Sequence, residues 1–121
     1  RDDRGPRWQT LEAPIALAEA VRTQSAPDRL LLVDCLTLWC SNLMHAGADV
    51  PTATADLIAA LAEARGPILL VANEVGLGIV PDNALARAFR DAAGHMNQAI
   101  AATADRVPLI AAGLPITLKQ P

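Results

Sequence analysis

The sequence predicts an α/β fold with a mostly parallel sheet flanked by helices, and three observations support this. Residues 30–33, 68–72 and 107–111 are short apolar runs that predict strands, and the first two are typical of strands buried on both faces of a parallel sheet. Helical patterns alternate with these runs along the chain. The 121 residues, 52% of them hydrophobic, are enough for one domain with its own core. We therefore expect a single α/β domain over residues 1–121.

The first half of the chain is expected to contain one strand and three helices. Residues 1–6 are charged and rich in turn formers, which predicts a loop. Apolar residues at steps of three and four predict a helix over 8–23, with Pro14 tolerated only in its first turn. The strand at 30–33 ends at Asp34. The same periodicity predicts helices over 35–44 and 52–64.

The second half of the chain is expected to alternate strand, helix and strand. A loop over 73–81 opens from the carboxyl end of the strand at 68–72. Asp82 is expected to cap a long helix that ends near Ala104. After the strand at 107–111, residues 113–115 predict a turn and 116–119 an edge strand.

Composition excludes several classes of protein. The net charge is −3 and the aromatic content is 2%, with Lys119 as the only lysine, so a nucleic-acid partner is not expected. No apolar run reaches about 20 residues, so no membrane span is expected. The two cysteines, Cys35 and Cys40, form no disulfide framework, which favours a cytoplasmic protein.

Neither a zinc site nor a cysteine–histidine nucleophile is expected, because only four residues of the chain could form one. Those residues are Cys35, Cys40, His45 and His95. Their spacing matches no zinc motif and no cysteine–histidine pair of known pattern. Ser41 lacks the G-x-S-x-G context of an α/β-hydrolase.

Asp34 is the strongest candidate site residue on chemical grounds. Ligands of parallel sheets bind outside the carboxyl ends of the strands, here near 34–37, 73–78 and 111–113. A carboxylate at such a strand end can hold magnesium, which needs only one or two protein carboxylates. Thr37 follows three residues later, at the entry to the next helix. The alternative is that Asp34 is the N-cap of that helix.

Three other features have a functional and a structural interpretation. Two arginines in the cluster Arg1, Asp2, Asp3 and Arg4 could bind phosphates through their forked donors, although composition alone favours a solvated run of terminal charges. Glu74 could be a base, a substrate contact or the cap of a turn. Gly76 and Gly78 do not complete a dinucleotide fingerprint and are expected to let the loop turn tightly.

Five stretches of the chain together resemble one enzyme family. They are RDDRGPRWQTLE (1–12), DCLTLWCSNL (34–43), NEVGLGIVP (73–81), RAFRDAAGHMNQ (87–98) and AGLPITLK (112–119). In this order and spacing they are similar to the bifunctional adenosylcobinamide kinase / adenosylcobinamide-phosphate guanylyltransferases of cobalamin biosynthesis. The stretch NEVGLGIVP followed by RAFRD is the most specific part of the resemblance.

The resemblance implies two reactions and a set of ligands. A nucleoside triphosphate, ATP or GTP, phosphorylates adenosylcobinamide, and a histidine then takes GMP from GTP and passes it to the new phosphate. Mg²⁺ is the implied cofactor. The family is also similar to the RecA-like P-loop fold and assembles as a trimer, with nucleotide near the subunit borders.

The resemblance also assigns residues in this sequence to the nucleotide. Arg1, Asp2, Asp3 and Arg4 match the segment that follows the guanylylated histidine and lies along GTP. Glu12 matches a nucleotide contact, although an acidic residue in a first helical turn is also common for electrostatic reasons. Asp34 matches the acid near GTP and magnesium.

The phosphate loop and the nucleophile are absent from the sequence, which contains no G-x-x-x-x-G-K-[ST]. The alignment places both ahead of Arg1, so we expect the chain to be N-terminally incomplete and inactive alone. We also expect it to expose apolar surface, because the first strand of the sheet would be missing. Two alternatives stay open: a noncatalytic scaffold module, or a P-loop kinase of another small substrate.

Overall fold

The computed structural model describes residues 7–74 and 83–121, which form four helices and four strands. The strands are β1 (Leu31–Asp34), β2 (Ile68–Val71), β3 (Val107–Ala111) and β4 (Leu114–Lys119). The helices are α1 (Leu17–Gln24), α2 (Leu36–His45), α3 (Val50–Ala62) and α4 (Ala84–Thr103). No helix in the described ranges is both long and apolar enough to cross a bilayer.

Strands β1 and β2 form a parallel pair, as the alternation of strands and helices predicts. The register runs from Leu31 opposite Ile68 to Asp34 opposite Val71, with α2 and α3 in the crossover. The carboxyl ends of both strands therefore lie at the same edge of the sheet. This arrangement confirms a mixed α/β architecture with a parallel sheet.

The helices pack together on one face of this sheet and form the core. Val21 of α1, Cys40 and Leu43 of α2 and Leu57 of α3 are all at most 2% exposed. Met96 of α4 is 2% exposed and belongs to the same cluster. The apolar stripes that predicted these helices are thus the surfaces that the helices bury against one another.

The other face of the parallel pair is open, which contradicts the expectation of strands buried on both faces. Val33, Ile68 and Leu70 pack against the helical core, whereas Leu32 and Leu69 point away and are 43% and 55% exposed. The cause is that side chains alternate across a strand and the described helices cover only one face. A continuous apolar run therefore has one buried and one open face here.

Strands β3 and β4 form an antiparallel hairpin closed by two residues. Ala111 pairs with Leu114, and both residues of the turn, Ala112 and Gly113, have positive φ, at 53° and 75°. Two residues with positive φ close a tight hairpin whose twist matches that of its strands. The turn is therefore formed by residues 112–113 rather than the predicted 113–115, and β4 begins at Leu114 rather than at residue 116.

Lysine 119 fastens this hairpin to α4. Its Nζ donates hydrogen bonds to the carbonyl oxygens of Ala101, at 3.0 Å, and Ala102, at 2.9 Å. The last carbonyls of a helix lack partners within the helix, and a cation there also complements the helix dipole. The single lysine of the chain thus caps the end of α4.

Two predicted helix boundaries are wrong. Helix α1 begins at Leu17, not at residue 8, because the residue before Pro14 is disfavoured in helical conformation and proline cannot donate inside a helix. Helix α4 is capped by Asn83, whose Oδ1 accepts a hydrogen bond from the Ala86 amide at 2.7 Å. Asp82, the predicted cap, lies outside the described residues.

The junction between α1 and β1 is held by a buried serine and a close backbone approach. Ser25 is 2% exposed; its Oγ accepts from the Arg65 amide at 3.3 Å, and its carbonyl accepts from Arg65 Nη2 at 2.9 Å. A Cβ placed on Gly66 would lie only 1.9 Å from the Ala26 carbonyl oxygen. Glycine at this position is therefore required by space.

Candidate functional site

A polar cluster lies at the carboxyl ends of the two parallel strands. Asp34 is the last residue of β1, and Asn73 and Glu74 follow the end of β2. Asp34 is paired in register with Val71, so the two strand ends lie side by side. This is the edge at which parallel sheets bind their ligands.

Threonine 37 joins the two strand ends. Its Oγ1, in the first turn of α2, accepts a hydrogen bond of 2.8 Å from the amide of Asn73. A backbone amide just past a strand end has lost its ladder partner, and the hydroxyl replaces it. The bond fixes the chain that leaves β2 against the helix that follows Asp34.

Asparagine 97 connects α4 to the same cluster. Its Nδ2 donates to the Asn73 carbonyl oxygen at 3.3 Å and to Glu74 Oε1 at 3.2 Å. An amide nitrogen carries two hydrogens, so both bonds can be made at once. Residues 73 and 74 are thus held between α2 and α4.

Asp34 is not the N-cap of α2, so the alternative interpretation of this residue as a helix cap is wrong. The N-cap is Cys35, whose Sγ accepts from the Leu38 amide at 3.4 Å. The Asp34 carboxylate is exposed and makes no hydrogen bond or ion pair within residues 7–74 and 83–121. Its side chain is therefore available for a ligand.

The chain around Glu12 is anchored to α2. Asn42 Nδ2 donates to the Pro14 carbonyl oxygen at 3.1 Å, and Trp39 Nε1 donates to that of Ile15 at 2.9 Å. Glu12, exposed and two residues before Pro14, lies outside any helix, because α1 begins only at Leu17. The first-turn interpretation of this carboxylate is therefore wrong.

Several candidates lie outside the described residues. The cluster Arg1, Asp2, Asp3 and Arg4 and the glycines Gly76 and Gly78 all fall there. Their roles remain predictions.

The donor set at the strand ends fits magnesium held mainly by a substrate. No group of three or more histidine, cysteine or acidic side chains within the described ranges could hold a metal ion by itself. Mg²⁺ in phosphate-binding sites usually takes one or two carboxylates, with waters and phosphate oxygens as its other ligands. The Asp34 carboxylate, which has no partner within 7–74 and 83–121, can supply such a contact.

The serine and histidine of α2 do not form a nucleophile. The closest contact of His45 Nδ1 is the Ser41 carbonyl oxygen at 2.8 Å, while Ser41 Oγ is 3.5 Å away. A ring nitrogen that donates to a carbonyl cannot serve as a base for the hydroxyl. Cys40 is fully buried, and burial raises the pKa of its thiol, which disfavours the reactive thiolate.

An open cleft of about 380 Å³ lies along α1 and α3, lined by side chains including Glu19, Arg22, Trp39 and Asp56. Arg22 is already occupied, with Nη2 2.9 Å from Asp56 Oδ1 and Nε 3.4 Å from Glu63 Oε2. The hydrogen bond to Asp56 is the main cause of the raised pKa of Arg22. The cleft contains neither Asp34 nor Glu74, and we assign it no role.

The contact between Asn97 and Glu74 is not visible in the sequence. No motif links the two residues, which are 23 positions apart. The only local signal is an asparagine deep inside a helix, where its helix propensity is low. Thr37 and Glu74 are identifiable from the sequence as single residues, but the bond from the Asn73 amide to Thr37 and the bond from Asn97 to Glu74 are not.

Comparison with known proteins gives consistent matches over nearly the whole chain. Residues 1–118 match the model of the family described as cobinamide kinase / cobinamide phosphate guanyltransferase. The chain is 46% identical over 123 residues to the bifunctional adenosylcobalamin biosynthesis protein CobP of Pseudomonas aeruginosa, covering 98% of this chain and 70% of that protein. It is 39% identical over 134 residues to the similarly described CobU of Salmonella typhimurium, covering 98% of this chain and 74% of that protein. It is 34% identical over 134 residues to CobU of Escherichia coli, covering 98% of this chain and 74% of that protein.

Proposed function

The chain belongs to the cobinamide kinase / cobinamide phosphate guanyltransferase family, and from this we propose a two-step activity for the protein. It phosphorylates adenosylcobinamide with a nucleoside triphosphate and then transfers GMP from GTP to the adenosylcobinamide phosphate. The product is adenosylcobinamide-GDP, an intermediate of cobalamin assembly.

The observation that carries this proposal is the position of Asp34. Its carboxylate ends a strand of a parallel sheet, has no partner within the described residues, and is not used to cap the next helix. Both proposed reactions exchange bonds on phosphorus and require positive charge on the phosphate oxygens. Asp34 would bind Mg²⁺ or its water shell, and the bound ion would neutralise that charge.

The remaining nucleotide contacts are assigned by the family resemblance. We propose that Arg1, Asp2, Asp3 and Arg4 lie along GTP, with the two guanidiniums on its phosphates, and that Glu12 is a further nucleotide contact. The tethering of Pro14 and Ile15 to α2 supports this role for Glu12, because it restrains the segment relative to the helix that follows Asp34.

The covalent step needs a histidine that the resemblance places ahead of Arg1. In the proposed step this histidine attacks the α-phosphorus of GTP, pyrophosphate leaves, and GMP then passes to the corrinoid phosphate. Splitting one difficult displacement into two easier ones is the usual advantage of a covalent intermediate. We likewise propose a RecA-like P-loop fold, a trimeric assembly and a cytoplasmic location.

The proposal is tested by Asp34→Asn in the full-length protein. We expect the rates of both reactions to fall by two or more orders of magnitude at limiting magnesium, with an unchanged melting temperature, because Cys35 rather than Asp34 caps α2. Asp28→Asn is the matched control, since Asp28 is an exposed carboxylate in the turn before β1. Unchanged rates in Asp34→Asn would contradict the assignment of Asp34.

The covalent step is tested with GTP labelled at the α-phosphate. The full-length protein should retain the label, and Arg4→Ala should lower the rate of labelling more than the thermal stability. Normal labelling together with a melting temperature lower by several degrees would show that Arg4 has a structural role instead.

A further inference from the structure

A hydrogen bond holds the Glu74 carboxylate in place, and no ion pair with a described basic residue offsets its negative charge. Its Oε1 accepts a hydrogen bond from the neutral amide of Asn97, and no ion pair joins it to a basic residue of the described ranges. Glu63 and Asp56, by contrast, are bound to the guanidinium of Arg22. Within the described ranges Glu74 therefore has no basic partner, whereas Asp56 of α3 and Glu63, the residue after α3, bind Arg22 of α1.

The backbone that carries Glu74 is held from two sides. Thr37 Oγ1 binds the amide of Asn73, and Asn97 Nδ2 binds its carbonyl oxygen. Two hydrogen bonds on one peptide residue restrict the direction in which the chain leaves β2. Both supports lie on helices, which position groups more precisely than loops do.

The site that results has two carboxylates at one edge of the sheet. Asp34 stands at the end of β1, and Glu74 lies three residues beyond Val71, the register partner of Asp34. A single acid is enough for the metal role assigned to Asp34, which leaves Glu74 without a function in the nucleotide chemistry. The phosphorylation of an alcohol does, however, require that its proton be removed.

We infer that Glu74 accepts the proton of the substrate hydroxyl during phosphorylation and that Asn97 positions its carboxylate for this step. The inference rests on the proposed function. The hydroxyl oxygen forms a bond to the γ-phosphorus of the nucleoside triphosphate, and the bond from that phosphorus to the β,γ-bridging oxygen breaks. The nucleoside diphosphate leaves with the electron pair, while the proton moves to Glu74 and later to water.

Glu74 has no hydroxyl proton to accept in the second reaction, the transfer of GMP. There the nucleophiles are the proposed histidine and then a phosphate oxygen that is already ionised near neutral pH, so no alcohol proton has to be removed. Glu74 should therefore serve one of the two activities and be dispensable for the other. This asymmetry separates a proton acceptor from a residue that merely supports the fold, because a structural defect would impair both reactions.

The decisive variant is Glu74→Gln in the full-length protein, because the glutamine Oε1 can still accept from Asn97 while the side chain cannot take up a proton. We expect kcat for phosphorylation of adenosylcobinamide to fall by about 10²–10⁴-fold. The KM for the nucleotide should not change, and GMP transfer to supplied adenosylcobinamide phosphate should stay within a few-fold of wild type. Glu63→Gln is the matched control and should affect neither reaction.

Two further variants test the positioning and the proton transfer separately. Asn97→Ala should lower kcat for phosphorylation by about tenfold alone and have no further effect in the Glu74→Gln background, because coupled residues are not additive. Glu74→Ala should regain activity when formate is added, since a small carboxylate can enter the space and accept the proton. A purely structural role would show neither behaviour.

The outcomes distinguish this inference from the function on which it rests. Wild-type protein with neither activity overturns the proposed function and the role of Glu74 with it. Wild-type protein with both activities, together with Glu74→Gln that is slow in both or in neither, overturns the role of Glu74 alone.

Discussion

The two faces of the parallel strand pair have similar residues and opposite environments. On the inner face, Val33, Ile68 and Leu70 pack against a helical core in which Leu57 is 0% exposed. On the outer face, Leu32, Leu69 and Val71 are between 42% and 55% exposed. The difference shows that hydrophobicity alone does not determine burial, because an apolar side chain is buried only where another element packs against it.

The helical face should lose the most stability on truncation. Leu57→Ala removes a fully buried side chain of α3 and should lower the free energy of unfolding by about 2–5 kcal/mol in chemical denaturation. Leu85→Ala is the matched control, because Leu85 is also helical but 71% exposed, and it should cost less than about 0.5 kcal/mol. Equal losses would show that α3 is not the centre of the core.

The next largest effect is expected where the helical layer meets the sheet. Ser25→Ala removes the buried hydroxyl that accepts a hydrogen bond from the Arg65 amide and should cost about 1–3 kcal/mol. Thr23→Ala removes an exposed hydroxyl nearby and provides the comparison. A denaturation midpoint unchanged by Ser25→Ala would mean that water replaces the lost acceptor.

The buried thiol of Cys40 should make the helical layer sensitive to alkaline pH. Burial raises the pKa of Cys40 above 9.0, so the folded protein retains a proton that the unfolded chain releases. The resulting stability is complete below that ordinary value and is lost as the pH rises through the folded-state pKa, with a slope of at most about 1.4 kcal/mol per pH unit. Denaturation curves at increasing pH should show this fall, and Cys40→Ala should make it shallower.

The open face should give the smallest change in stability. Leu69→Thr keeps a residue that favours strands at a position already 55% exposed, so it should alter the free energy of unfolding by less than about 0.5 kcal/mol. It should also reduce the binding of a hydrophobic dye to the 121-residue chain. A loss as large as that of Leu57→Ala would show that this face is covered in the folded protein.

Much of the fold could be predicted because its signals are local. The bounds of β1, β2, α2 and α3 fall within two residues of those expected from apolar periodicity. The start of α1 was missed because the apolar steps continue through Pro14, while the chain itself does not become helical until Leu17. The open face of β1 and β2 was missed because a short apolar run does not reveal how many of its faces will be covered.

The site could be predicted only in part, for a similar reason. Asp34 and Glu74 were identifiable because each follows an apolar strand, where the topology of a parallel sheet concentrates ligands. The choice of Cys35 over Asp34 as helix cap depends on backbone geometry at two adjacent residues, both of which could accept the bond. The contact of Asn97 with Glu74 depends on how α4 packs beside the end of β2, which no local pattern specifies.

Lysine 119 gives the terminal hairpin a mechanical connection to the strand ends. It grips the carbonyls of Ala101 and Ala102, and Ala101 is one helical turn, about 6 Å, beyond Asn97. Helix α4 is one continuous element of 20 residues, so a displacement of its carboxyl end also displaces Asn97. Through Lys119, β4 therefore restrains α4 one turn beyond Asn97, the residue that holds the Glu74 carboxylate.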